Sequence, residues 1–210
     1  AIVEGGLWDL VEARAKGHPQ MTAALKRLST YRDELEELSP GFKGHGVFYY
    51  DYHSLSRPQL TRYQAQLKAN YGRPEGKTTV ILLPAPSAKP YNAFPGFLEL
   101  KRRLGDKLQG AHVCFLAAPY GAVPEHLAET YPLSQCEIAE PLDLETLRFT
   151  AEKTLDYLRS ADHRRVVQVS CGSELDAAVE TALEALEAHR AVHVDSPWGN
   201  EAAEALLRIL

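Results

Sequence analysis

Three short segments carry the side chains through which this chain could do chemistry. The first is Pro84-Ala85-Pro86-Ser87-Ala88-Lys89-Pro90-Tyr91-Asn92. Its prolines restrict the backbone. Lys89 offers a positive charge to a phosphate or carboxylate, Tyr91 a flat face and Asn92 an amide to a nucleobase. The plainer reading is a stiffened crossover, with Lys89 solvated and Tyr91 packed. The second segment is Ala118-Pro119-Tyr120-Gly121-Ala122-Val123-Pro124. Gly121 permits a positive φ or the close approach of a ligand. Pro124 suits the first turn of a helix, whose start could hold an anion. A simple strand–turn–helix connection is the plainer reading. The third is Ser170-Cys171-Gly172-Ser173. A cysteine ahead of a helix amino terminus can lose its proton easily and act as a nucleophile, although most free cysteines are small buried residues. Lys89 and Cys171 are therefore the candidate catalytic residues. Pro84, Lys89, Pro90, Tyr91, Asn92, Tyr120, Gly121 and Ser170 are the candidate ligand-contacting set.

These segments need a frame that brings them together. From residue 78 onward, apolar runs alternate with helical periodicity. Strands are predicted at 78–83, 112–117, 166–169 and 191–194. Helices are predicted at 94–108, after Pro124, and at 143–159, 173–188 and 201–210, with Ser173 as an N-cap. Fully apolar strands between helices predict an α/β domain: a mostly parallel sheet of about four to five strands with helices on both faces. In such sheets ligand sites form at the carboxyl ends of strands, where all three segments fall. The first forty residues read as helices at 7–15 and 20–38, followed by a short strand at 46–50 and a helix after Pro58. Gly72-Arg73-Pro74-Glu75-Gly76 reads as a linker. The expected division is a helical N-terminal segment with a short strand, 1–74, and a three-layer domain, 75–210.

The totals narrow the function classes. The chain has 210 residues, 45% of them apolar, and a formal charge of -5. A freestanding nucleic-acid binder usually shows a basic face. Any affinity for RNA here must come from a local patch, another domain or a partner. No stretch approaches the roughly 20 apolar residues of a membrane span, and no charged-then-apolar leader precedes the first helix. Cys114, Cys136 and Cys171 are odd in number and widely spaced, which fits neither a disulfide framework nor a zinc site. A reducing cytoplasm is the expected compartment. The eight histidines show no metal-ligand spacing and no Gly-rich phosphate loop is present, so neither a metal nor a cofactor is expected. The Tyr49-Tyr50-Asp51-Tyr52 cluster could stack on RNA, but an edge strand is the simpler reading. The chain opens on Ala1 rather than Met, which suggests a trimmed or longer natural polypeptide.

Taken together, these segments resemble archaeosine synthase and its relatives, paralogues of the archaeal tRNA-guanine transglycosylase. Residues 6–14, Gly-Leu-Trp-Asp-Leu-Val-Glu-Ala-Arg, are similar to the last helix of that family's transglycosylase-like barrel. Phe48-Tyr49-Tyr50, Ser54 to Pro58 and Arg62-Tyr63 are similar to its connecting segment. Leu82-Leu83-Pro84 through Tyr91 resembles its signature, Pro-Cys-x3-Lys-Pro-Tyr-x2-Ser-x2-His. Pro119 to Pro124, with Leu127, Glu129, Tyr131 and Pro132, resembles a second signature. The resemblance implies work on tRNA carrying 7-cyano-7-deazaguanine: lysine adds to the nitrile, and a radical SAM partner completes the reaction. The departures fall on the reactive positions. Ala85 stands in the cysteine position, Phe94 in the serine position and Phe97 in the histidine position. Alanine and phenylalanine supply neither nucleophile nor proton carrier. The reading favoured is thus a diverged, non-catalytic tRNA-binding or assembly module of the archaeosine pathway, working with another domain or with a transglycosylase-like or radical SAM subunit. Two alternatives stand beside it: an active synthase-type transferase with a relocated group, Cys171 or Lys89, and a small-ligand or partner-binding domain outside tRNA modification.

Overall fold

The computed structural model describes residues 6–41, 44–161 and 163–210. Its centre is a five-stranded sheet. Three consecutive parallel neighbours, β2 (Thr79–Pro84), β6 (Arg165–Ser170) and β7 (His189–His193), continue on the other side of β2 into β3 (Ala111–Ala117). A short antiparallel strand, β4 (Gly121–Pro124), closes that edge, giving the order β4-β3-β2-β6-β7. β2 and β3 are buried along almost their whole length. This is why their sequences run continuously apolar instead of alternating. The mostly parallel sheet with helices on both faces is therefore the architecture that the alternating apolar runs predict.

The helices follow the same logic. α5 (Pro95–Leu104) begins on a proline, whose missing N–H is harmless in a first turn, and buries Phe97, Leu100 and Leu104. α6 (Leu144–Ser160) is N-capped by Asp143, which accepts from the Thr146 amide. α7 (Glu174–Leu183) starts from a capping box in which Ser173 and Asp176 each satisfy the other's backbone N–H. α8 (Asn200–Ile209) packs beside α5, and α6 beside α7, giving two covering layers.

Two expectations are revised. The short helix predicted after Pro124 is a single 3-10 turn, Glu125–Leu127, and residues 121–124 before it form β4, paired with β3 from Ala117↔Gly121 to Cys114↔Pro124. The single helix expected at 20–38 divides into α2 (Pro19–Leu28), a 3-10 turn and α3 (Arg32–Glu37), after α1 (Leu7–Ala15). Packing also runs across residues 72–76. β1 (Val47–Tyr49) pairs in parallel with β5 (Cys136–Ile138), and α4 (Pro58–Asn70) buries Leu60, Tyr63 and Leu67 in the same apolar cluster as the sheet. Elements on both sides of residues 72–76 thus contribute to one apolar cluster. A separate small cluster, Trp8, Ala15 and Leu25, belongs to α1 and α2.

A buried ion pair joins that helical segment to the rest. Arg57, fully buried, donates to Glu12 Oε2 and Asp9 Oδ1, both at 2.5 Å. Glu12 also accepts from Trp8 Nε1 at 2.9 Å and from Ser54 Oγ at 3.1 Å. The Trp-Asp-x2-Glu and Ser-x2-Arg-Pro patterns of the sequence are the two halves of this one contact.

Candidate functional site at the carboxyl edge of the sheet

β3 lies on one side of β2 and β6 on the other, so the direction of strand addition reverses between β2 and β6. That reversal opens a crevice at the strands' carboxyl ends, the usual place for a ligand in an open α/β sheet. The register Leu82↔Gln168, continued two residues, sets Pro84 level with Ser170. The signature loop and the Cys171 turn therefore leave the sheet side by side.

Their side chains have different surroundings. Tyr91 is 3% exposed, tilted against Phe115 with centroids 5.6 Å apart. Its ring is packed rather than open, because the 3-10 turn Tyr91–Ala93 drops it into the apolar core. Burial pushes its phenol well above the usual range, and the neighbouring Cys136 thiol adds to the shift. Lys89 lies over the same ring, with Nζ 5.6 Å from the centroid. Tyr120 is also buried, its hydroxyl 2.7 Å from that of Tyr49. Lys89, Tyr91 and Tyr120 converge on Cys136, whose thiol is pushed up by burial while the Lys89 charge and the two hydroxyls oppose that shift. Sequence reasoning missed Cys136 because its neighbours come from distant segments and its strand, β5, is only three residues long.

Gly121 needs its glycine for packing. Its φ is +83°, and a Cβ there would meet the Thr154 amide nitrogen on α6 at 2.9 Å. The close approach foreseen for a ligand is made by a helix. Asn92 donates from Nδ2 to Glu129 Oε1 at 2.8 Å, tying the first signature to the second, and its amide carbonyl is a buried acceptor. Pro84 closes β2, and the Lys89–Pro90 peptide is cis.

At the end of β6, Ser170 is buried and accepts from the Gly172 amide at 3.3 Å. Cys171 is exposed. The helix start that should lower its pKa is already occupied: Asp176 Oδ2 accepts from the Cys171 amide at 3.0 Å and the Ser173 amide at 3.2 Å. Partial burial, followed by the charges of Asp176 and Asp195, raises the thiol above its ordinary value. The charges that act on this thiol are carboxylates rather than Lys89.

The departures from the signature have a structural counterpart. Phe97 is buried, edge-on to Phe115 at 5.0 Å and to Trp198 at 6.4 Å. Phe94 tilts against Trp198 at 5.4 Å. Gly96 between them has no room for a Cβ, which would lie 2.7 Å from Phe94 and 2.9 Å from Trp198. An apolar aromatic cluster occupies the positions where the resembled signature has a serine and a histidine. Ala85 packs against the core, its amide held by the Leu116 carbonyl at 3.1 Å. Among the described residues no group of three His, Cys, Asp or Glu side chains is placed to hold a metal, and no helix is long and apolar enough to cross a membrane.

Residues 60–210 match the family model described as "Domain of unknown function (DUF5591)". Among curated relatives, the tRNA-guanine(15) transglycosylase of Saccharolobus solfataricus is 29% identical over 174 residues, covering 81% of this chain and 34% of that protein. The tRNA-guanine(15) transglycosylase of Methanothermobacter thermautotrophicus is 29% identical across 98% of this chain and 32% of its own length. That of Pyrobaculum aerophilum is 38% identical over 138 residues, 65% of this chain and 26% of the relative. The chain therefore spans about a third or less of the relatives it matches. A solved structure, the crystal structure of AF0587, described as a protein of unknown function, superposes with a TM-score of 0.52 at 17% identity, over 71% of this chain and 48% of that one. That likeness is one of fold.

Proposed function

The chain belongs to the DUF5591 domain family, and from that premise we propose that it is a tRNA-binding or assembly module of archaeosine formation that performs no chemistry of its own. The relatives named tRNA-guanine(15) transglycosylase support the tRNA context. The observation that carries the non-catalytic reading is the Phe94–Phe97–Trp198 cluster. A site that adds an amine to a nitrile needs a nucleophile or proton carrier at the reacting atom. Here the signature's proton-carrying positions are filled with rings that interlock, and the pKa of the exposed thiol one strand away is raised by partial burial and then by its carboxylate neighbours. What the loop keeps, Pro84, Lys89, Pro90 and Tyr91, shapes the edge and presents one cation there.

The test has two readouts on purified protein. A gel shift with tRNA carrying 7-cyano-7-deazaguanine should show binding that weakens as salt is raised. Mass analysis of the same tRNA after incubation with lysine should show no lysine adduct. Adduct formation by the protein alone overturns the non-catalytic reading. If Cys171→Ala then abolishes the product, the relocated-thiol alternative takes its place. No tRNA binding, with or without the rest of the pathway present, overturns the module reading.

A further inference from the structure

A second cavity lies away from the carboxyl edge, between α4 and α6, with α3 at its rim, and encloses about 620 Å³. Ligand pockets for small molecules typically run from about 300 to 1,000 Å³. Its floor is apolar: Leu60 and Leu67 are core residues, and Leu55 and Phe149 pack against them. Its rim is cationic. Arg32, Lys68, Lys153 and Arg159 line it, against two carboxylates, Asp33 and Asp156. Both carboxylates already have cationic neighbours: Lys153 lies 3.2 Å from Asp156, and Arg32 3.7 Å from Asp33. Among the described residues, Lys68 and Arg159 have no ion-pair partner, and both are exposed. A chain of formal charge -5 thus carries a local excess of positive charge around an apolar slot.

We propose that this groove binds a phosphorylated nucleoside, its base against the Leu60–Phe149 floor and its phosphate between Lys68 and Arg159. Charge complementarity selects the anion, and the greasy floor selects an anion with a flat apolar body over a bare one. Lys153 adds a further cation close by, with Nζ 5.4 Å from the Phe149 ring centroid. The chemistry is shared by a free nucleotide and by one nucleotide of a single-stranded RNA. This inference stands apart from the tRNA reading, because a free nucleotide would satisfy it equally.

Calorimetric titrations of the whole chain with adenosine and guanosine 5′-monophosphate, the corresponding nucleosides, inorganic phosphate and a short single-stranded oligoribonucleotide test it. The monophosphates should bind at least about tenfold more tightly than either nucleoside or phosphate, because each alone lacks one half of the contact. An oligonucleotide that binds more tightly than the monophosphates identifies RNA as the source; one that binds more weakly identifies the free nucleotide. The double variant Lys68→Glu, Arg159→Glu should lose about tenfold or more in affinity. Ala65→Trp, on the exposed side of α4, fills the slot without changing charge and should block binding while melting like the parent. No binding in the millimolar range, phosphate binding as tightly as a monophosphate, or unchanged affinity in a folded variant of either kind overturns the proposal.

Discussion

A thiol beside a helix amino terminus normally loses its proton more readily, because unpaired amides stabilise the thiolate. Cys171 has that position, but Asp176 already accepts those amides and Asp195 adds a second negative charge. Removing Asp195's charge should favour the thiolate. Asp195→Asn is expected to lower the Cys171 pKa and raise its alkylation rate near pH 8 by about twofold. The rate reports one site, since Cys114 and Cys136 are buried. Two glycines give a second residue-level contrast. Both have positive φ, +83° at Gly121 and +77° at Gly172, but a Cβ meets the α6 backbone only at Gly121. Gly172→Ala should cost about 1 kcal/mol, from backbone strain alone. Gly121→Ala adds a clash that neither β4 nor α6 can relieve locally, and about 2–4 kcal/mol is expected. Denaturant unfolding of the two variants measures the difference.

Elements differ in how openly the sequence announces them. β2, β3 and β6 are legible because both of their faces are buried and every residue reports it. α6 and α7 are legible from their caps, Asp143 and Ser173. β4 and β5 are not: each has three or four residues, and each exists only because a distant strand offers its edge. The same limit hid the convergence of Lys89, Tyr91 and Tyr120 on Cys136. The three loops of the candidate edge were legible as positions, but the direction of each side chain was decided by packing that no local pattern encodes. The link from α1 to α4 is another non-local contact, and it concentrates in Arg57. Removing the guanidinium leaves Glu12, 1% exposed, as a buried carboxylate without its cation. Arg57→Ala should cost about 3–5 kcal/mol, enough to lower the melting temperature of a chain this size by about 10 °C. A double-mutant cycle with Glu12→Ala should recover a large share of that cost as coupling energy.

At the scale of the whole molecule, acid should unfold the chain through its buried imidazole. His112 is 1% exposed and bonds to the Tyr157 hydroxyl at 2.9 Å. Burial first, then the charges of His163, Lys77 and His126, lower its pKa from 6.5 to about 3. Below pH 6.5 the unfolded chain takes up a proton that the folded chain refuses, so stability falls as pH falls through the window from 6.5 towards 3. The slope is about 1.4 kcal/mol per pH unit. Urea midpoints between pH 7 and 5 should show it, and His112→Gln should flatten it by one proton's share. The division of the chain gives the last expectation. Gly72 to Gly76 looks like a linker, yet Tyr49 and Tyr63 on its amino-terminal side pack edge-on to Tyr120 at 5.7 and 5.1 Å. Gln64 reaches across to donate to the Tyr120 carbonyl at 2.8 Å. A fragment 75–210 would expose the surface under α4 and leave β5 without β1, and it should fail to unfold cooperatively. A fragment 46–210 loses the small Trp8–Ala15–Leu25 cluster and the bonds from Arg62 to Glu36 and Ser39, and frees Arg57 to solvent. It should fold and unfold cooperatively, less stably than the whole chain. Cooperative folding of 75–210 would place the seam at the linker after all and make α4 a docked appendage rather than part of the core.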